Sequence, residues 1–411
     1  MSISSEVQTE NDDESRKWID RIYKKAVLPI QINASSATYK IFREYIKSKY
    51  DDYEDAKKEG DRLLKKCSKE LPDYLMQFDI PDNISLDVDF YETIIHYKTP
   101  VSLASYEGDM DIVLILARMG VNYTKKTAMR DEGKGNDPIR MAEREDGFEN
   151  AIGLPGPSAE AVRSELEKSR FWEKYPDLRM TLSVGGSTKE EYLDVFRELH
   201  DDVPYLEYVD FEINVSCPNT DDGQKLCEKQ EGCDTYENLE KLLEEIREID
   251  NDIPIYVKLS PDFSDEKILE LAEICKRHKM GIVLTNTKYV DSDVLSTGGG
   301  GYSGPKNKER ALQLVNLVHE KYKEYDKYSN LEFDKIPLKI CGGMETCEDV
   351  LRAQNAGGNV PVQMGYAMFK DPYGAIVKTN YGLSKFCEKN GISSLNDFHD
   401  LAKEVRGKYA V

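Results

Sequence analysis

Tyr208-Val209-Asp210-Phe211-Glu212-Ile213-Asn214-Val215 runs straight into Ser216-Cys217-Pro218-Asn219-Thr220. The first part alternates apolar residues at every second position, the period of a β-strand. It stops where Pro218 follows Cys217, because proline cannot extend a central strand. A thiol therefore sits between two carboxamides, Asn214 and Asn219, where a strand gives way to a loop. A carboxamide offers both a donor and an acceptor, which suits the edge of a planar imide or amide ring. A thiol beside it can take or give a proton. A cysteine followed by proline is, taken alone, an ordinary turn.

The same arrangement recurs along the chain. Short apolar runs at Val101–Ser105, Val121–Lys125, Met180–Gly185, Ile255–Ser260, Gly281–Asn286, Leu338–Gly342 and Val360–Gly365 join Val209–Val215 as candidate strands. Helical stretches at Lys189–His200, Tyr236–Ile249, Asp265–His278 and Cys347–Gln354 fall between them. Strands alternating with helices predict a parallel α/β architecture. A doubly wound sheet satisfies the pattern too. Polar or glycine motifs after nearly every strand favour a closed (β/α)8 barrel, the TIM barrel, with its chemistry at the C-terminal strand ends.

Residues 1–92 lack this rhythm and predict a charged, mainly helical N-terminal extension; residues 93–411 form the barrel. Asp51–Lys69 mixes Lys, Asp and Glu as a solvated helix does. Tyr39, Phe42, Tyr45 and Ile46 recur at helical spacing and read as a packing stripe. A long insertion at about 126–179 separates the second strand from the third and is expected over the barrel mouth or a subunit interface.

Composition narrows the function. With 77 acidic against 56 basic residues, the net charge of −21 speaks against nucleic acid as a partner. No run approaches the ~18 apolar residues of a membrane span. Met1-Ser2-Ile3-Ser4-Ser5-Glu6 lacks the basic-then-apolar order of a secretory leader, so a cytoplasmic location is expected. None of the 8 cysteines forms a Cys-x-x-Cys pair. That predicts reduced thiols rather than a metal centre.

Asn214-Val215-Ser216-Cys217-Pro218-Asn219 resembles the active-site signature of the soluble, class 1 dihydroorotate dehydrogenases. Ordered matches to that family continue over roughly residues 96–411. They include Ala104-Ser105, Thr124-Lys125, Asn150-Ala151-Ile152-Gly153-Leu154-Pro155, Lys258 within Val-Lys-Leu-Ser-Pro-Asp, and Asn286-Thr287. Gly300-Gly301-Tyr302-Ser303-Gly304, Cys341-Gly342-Gly343 and Gln363-Met364-Gly365-Tyr366 complete the series. A glycine pair alone marks a turn; the order of the whole set carries the resemblance.

The resemblance implies an FMN-dependent oxidation of (S)-dihydroorotate to orotate in de novo pyrimidine biosynthesis, with hydride passing to flavin N5. Cys217 is the implied catalytic base. Implied substrate residues are Lys125, Asn150, Gly153, Leu154, Asn214, Asn219, Asn286 and Thr287. Implied cofactor residues are Ala104, Ser105, Lys125, Ser183, Asn214, Lys258, Gly301, Ser303, Gly304, Gly342, Gly343, Gly365 and Tyr366. A homodimer is implied, with fumarate as acceptor, or NAD reached through a separate electron-transfer subunit.

Three rivals share parts of this pattern. The membrane-associated, quinone-using class carries serine where this chain has Cys217, and an apolar rather than charged extension. A dihydropyrimidine dehydrogenase-like oxidoreductase has histidine where Asn219 stands. A degenerate, non-catalytic barrel would have no reason to keep Cys217, both lysines and all four asparagines.

Overall fold

The computed structural model describes residues 58–63, 65, 66, 80–105, 109–215, 227, 236–326 and 335–411. Eight parallel strands form one sheet. In chain order these are β3 (Val101–Leu103), β4 (Tyr123–Ala128), β7 (Met180–Val184), β8 (Val209–Asn214), β9 (Ile255–Leu259), β10 (Gly281–Leu284), β13 (Leu338–Cys341) and β14 (Val362–Met364). The spatial order is β3-β14-β13-β10-β9-β8-β7-β4. The two ends of that order meet through Asn122, whose N–H donates to Val101 O at 3.0 Å and whose carbonyl accepts from Leu103 N at 2.9 Å. The barrel is closed there, as the expected (β/α)8 architecture requires.

Each expected strand falls on an observed one, and β7, β8 and β9 are buried at every position. Parallel strands wrapped by helices have no solvent face. Helices α1 (Met110–Ala117), α2 (Ala159–Ser169), α3 (Lys189–His200), α4 (Glu237–Ile249), α5 (Asp265–Arg277), α6 (Lys308–Asp326) and α7 (Cys347–Gly357) follow successive strands. After β14 come α8 (Tyr366–Lys370) and α9 (Pro372–Asn390). Local sequence sets their starts. Thr188 accepts from Glu191 N at α3, Ser264 accepts from Lys267 N at α5, and Thr346 with Asp349 forms a capping box at α7.

Two further pieces close the ends of the barrel. A hairpin of β1 (Leu86–Phe90) and β2 (Thr93–Tyr97) closes the N-terminal end. Phe90 meets the Tyr256 ring edge-on at 5.2 Å, and Tyr97 Oη donates to Asp210 Oδ2 at 3.1 Å. At the other end, β5 (Met141–Arg144) and β6 (Gly147–Asn150) join β11 (Lys288–Asp291) and β12 (Gly299–Ser303) in a four-stranded antiparallel sheet over the mouth.

These pieces move two expected boundaries. Position 92 lies in the turn of the β1–β2 hairpin, and Ile84, Leu86, Val88 and Phe90 belong to the main core. The barrel body therefore takes in residues before 93. The expected insertion at 126–179 shrinks as well, because α2 is an ordinary barrel helix packed against α1 and α3. What remains as insertion is the mouth segment before α2. Of the extension, residues 58–63, 65 and 66 are helical, and Lys65 pairs with Asp109 and Asp111 at the start of α1. The expectations for residues 1–57 and 67–79 lie outside the described residues. Among the described residues, no helix is long and apolar enough to cross a membrane.

The barrel interior is charged. Near the hairpin, Lys339 Nζ donates to Asp210 Oδ1 at 2.8 Å and to Thr181 Oγ1 at 3.1 Å. Arg179 Nε reaches the other Asp210 oxygen at 3.3 Å. Burial draws the Lys339 pKa below the ordinary lysine range despite Asp210 beside it. Asp210 is the shared acceptor that makes this layer tolerable. Asp210→Ala should cost about 3–5 kcal/mol of unfolding free energy, because it leaves a buried cation without its counter-charge. Urea denaturation measures this; a loss under ~1 kcal/mol would mean that water screens the pair.

Candidate active site

One cavity opens at the C-terminal ends of the barrel strands, beneath the antiparallel sheet. Seven barrel strands deliver residues to it. Ala104 and Ser105 follow β3, Lys126 and Thr127 come from β4, and Asn214 ends β8. Lys258 rises from β9 and Asn286-Thr287 follow β10, while Cys341-Gly342-Gly343 end β13 and Gly365-Tyr366 follow β14. The mouth sheet adds Asn150, Ser303 and Gly304, and the loop beyond β6 adds Gly153 and Leu154. Fifteen of the residues named from the sequence thus share one wall-to-wall space.

Hydrogen bonds fix the polar groups. Asn214 Nδ2 donates to Thr127 Oγ1 at 3.2 Å, and its carbonyl accepts from Tyr192 Oη at 2.8 Å. Asn150 Nδ2 donates to Gly301 O at 3.2 Å, which ties the mouth sheet together. Asn286 Oδ1 accepts from Thr287 N at 2.8 Å. In the carboxamide edges of Asn150, Asn214 and Asn286, the cavity holds donors and acceptors suited to a planar polar ring.

The floor is Lys258. Its ammonium donates to Gln363 Oε1 at 2.9 Å and to both Glu212 oxygens at 3.3 and 3.4 Å. Burial alone would make this ammonium easier to deprotonate, but the Glu212 carboxylate holds its pKa above the ordinary lysine range. Lys258 is therefore a permanent cation under the cavity. Burial pushes the neighbouring Cys341 thiol up, although Lys258 opposes the shift, so Cys341 is a neutral group in this wall.

Three expected residues sit elsewhere. Lys125 points out of the barrel and pairs with Glu165 of α2 at 2.8 Å; Lys126 takes its place at the cavity. The cause is strand alternation. Thr124 faces inward, accepting from Gln363 Nε2 at 3.3 Å, so the next residue faces out and the one after faces in. An irregularity in β4 between Lys125 and Ala128 then brings Thr127 inward as well. Ser183 lies below the cavity, between Thr127 Oγ1 at 3.0 Å and Glu212 Oε1 at 3.4 Å. Gly301 is set back in β12, where its carbonyl receives Asn150. Cys217 and Asn219 fall outside the described residues.

The sequence reading also missed Lys126, Thr127, Asn307 and Cys341, together with an apolar side made by Met141, Phe148 and Phe369. Phe148 and Phe369 stack with ring centroids 4.9 Å apart. Strand alternation put one lysine of the Lys125-Lys126 pair inward, but the sequence carried no signal for which one.

A (β/α)8 barrel whose strand ends gather amides, a fixed cation and glycine turns is an enzyme scaffold with its site in the usual place. The comparisons name the kind. The dihydroorotate dehydrogenase family model matches residues 93–386. The catalytic subunit of dihydroorotate dehydrogenase B (NAD(+)) from Pyrococcus abyssi is 30% identical over 324 residues, spanning 76% of this chain and 97% of that one. The Enterococcus faecalis protein of the same name is 33% identical over 280 residues, 66% of this chain and 80% of its own. Dihydroorotate dehydrogenase A (fumarate) of Lactobacillus helveticus is 31% identical over 284 residues, 66% and 83% respectively. A crystal structure of DHODH from Eimeria tenella in complex with ferulenol shares the fold, with a TM-score of 0.67 at 17% identity over 85% of this chain and 95% of that one. The chain belongs to the dihydroorotate dehydrogenase family.

The two adjacent lysines give a direct check on the geometry. Lys126→Met should lower turnover of dihydroorotate by on the order of tenfold to a hundredfold, as loss of a charged hydrogen-bond donor at a reacting site does. Lys125→Met should leave turnover near the parent value, since its partner Glu165 is half exposed and lies on the outer wall. Steady-state kinetics of the two variants, with the opposite ranking, would return Lys125 to the site.

Proposed function

We propose that the cavity holds FMN, and that the chain oxidises (S)-dihydroorotate to orotate with Cys217 taking the proton from substrate C5. The observation that carries this reading is the meeting of Lys258, three asparagines and a glycine-built wall in one space. The wall fits a bound phosphate and ring. Gly342 and Gly343 have φ of +133° and +70°. A Cβ on Gly343 would come within 2.8 Å of both Gly304 O and Lys308 N. Such turns bring backbone N–H groups close to an anion, which a side chain would prevent.

Ser303, Gly304, Gly342, Gly343, Gly365 and Tyr366 would hold the phosphate side; Ala104, Ser105, Asn214 and Lys258 would border the ring. Bound there, FMN supplies the hydride acceptor that no protein side chain provides. Asn150, Asn214, Asn286 and Thr287 hold the amide and carboxylate edges of the substrate, and the family resemblance adds Asn219 to them. Lys258, whose pKa Glu212 holds above the ordinary lysine range, would offset negative charge on a ring bound there. The Cys217 thiolate accepts the C5 proton and becomes the thiol.

Asn219 favours the carboxylated substrate over dihydrouracil, because the dihydropyrimidine dehydrogenase-like pattern places histidine there. Relatives named for fumarate and for NAD both match this chain. Reoxidation decides between a self-sufficient homodimer and a chain served by an electron-transfer subunit.

Heat-denatured protein should release FMN and not FAD. Anaerobic dihydroorotate should bleach the bound flavin, while dihydrouracil should leave it oxidised on the same timescale, since buried carboxamides reject a ligand that leaves them unpaired. Protein without flavin, or one bleached equally by both, would overturn the assignment. Reoxidation of the bleached protein by fumarate, NAD and a quinone in turn identifies the acceptor.

Cys217→Ser should bind FMN normally yet slow flavin reduction at neutral pH by about 10²-fold or more, because a hydroxyl is a far weaker acid than a thiol. Part of the rate should return as pH rises. Stopped-flow traces of Cys217→Ala at the parent rate would make the thiol structural.

A further inference from the structure

We propose that Glu212 is a positioning residue that sets the balance between oxidised and reduced cofactor in this cavity, acting through Lys258. The inference rests on the FMN reading above and assigns a task to a group that reading uses only as a support.

Glu212 stands one strand period below Asn214 on β8, so both side chains face the barrel interior. It is wholly buried. Besides Lys258, its carboxylate accepts from Gln363 Nε2 at 2.8 Å and from Ser183 Oγ at 3.4 Å. Gln363 in turn accepts from Lys258 at 2.9 Å and reaches Thr124 Oγ1 at 3.3 Å. Residues of β4, β7, β8, β9 and β14 thereby form one network beneath the cavity. Of its members only Lys258 brings a charge to the cavity wall; Thr127, reached through Ser183, is neutral.

The plain alternative is a structural ion pair filling the barrel. The Lys339–Asp210 pair already shows what that looks like: both partners are buried, and neither lines the cavity. The Glu212 pair differs because its cation reaches the site. Glu212 holds the flexible Lys258 stem in one place and offsets most of its charge. Electrons added to a ring above the pair then meet a weakened positive field. Removing the carboxylate while keeping its shape strengthens that field and favours the reduced cofactor.

The other charged or titratable groups around Lys258 bound the pH range of the effect. Cys341 faces it from β13, Lys126 shares the cavity from β4, and Lys339 with Asp210 lies nearer the hairpin. Without Glu212, burial is the main influence left on Lys258 and draws its proton off as pH rises.

The test is the reduction potential of FMN-loaded Glu212→Gln, measured against reference dyes from pH 6 to 9. At pH 6 the reduced form should gain about tenfold over the parent, ~30 mV for a two-electron couple. The gain should shrink toward pH 9. On a Lys258→Met background the same substitution should give a clearly smaller shift, because the cation that the carboxylate positions and offsets is gone. An unchanged potential at every pH, or an equal shift in both backgrounds, overturns the proposal. If Glu212→Gln does not fold, Glu212→Asp, which draws the charge back from Lys258, should give a shift of the same sign of about threefold. Its absence is equally decisive. Protein that carries no FMN defeats the functional reading; protein that carries FMN, is bleached by dihydroorotate and keeps its potential defeats this inference alone.

Discussion

A closed parallel barrel leaves its interior no contact with bulk water, and this chain places two lysines and two carboxylates there. Each charge has to be met inside the same ring of strands. Asp210 meets Lys339 and Arg179 near the hairpin end, and Glu212 meets Lys258 below the mouth. The partners come from different strands, so they meet only when the barrel has closed in the right register. The polar interior thus ties pairing specificity to the correct arrangement of all eight strands.

The same constraint grades the interior from structure to chemistry. At the hairpin end the ion pairs are capped by Tyr97 and Tyr256, with Lys339 set 4.1 Å from the Tyr256 ring centroid. One layer higher, Lys258 is still paired, but it also borders the cavity. Above that, the strands end and carboxamides take over: Asn214 on β8, and Asn286 just past β10. Glycine turns after β13 and β14 form the opposite wall. The mouth sheet then fixes Asn150 by pairing β6 with β12, segments far apart in the chain. The site is an extension of the barrel interior, with its polar groups held by strands and not by free loops.

Much of this was legible in the chain. The eight strands announced themselves because each apolar run ends in a polar or glycine motif. Helices α3 and α5 began where Thr188 and Ser264 supply the capping oxygen. The asparagines, Lys258 and most of the glycines were readable as a set from their ordered match to one family. The antiparallel mouth sheet was not, since its strands pair across about half of the barrel and include three consecutive glycines with little strand propensity. Nor was the hairpin across position 92, whose apolar face has meaning only against the end of a barrel.

The sequence by itself determined the eight barrel strands, the order of strands and helices around the barrel, and the family, because period, capping and motif order are local properties that survive without coordinates. Which lysine of the Lys125-Lys126 pair enters the site was decided only by the tertiary structure. Two adjacent residues on a strand face opposite ways, and only the inward contact of Thr124 with Gln363 fixes the phase. The partnership of Glu212 with Lys258 and Gln363 was likewise decided by closure. Nothing local to β8 says that its buried carboxylate will meet a lysine from the next strand and an amide from the last; burial away from water forces it onto the polar groups that closure brings to it.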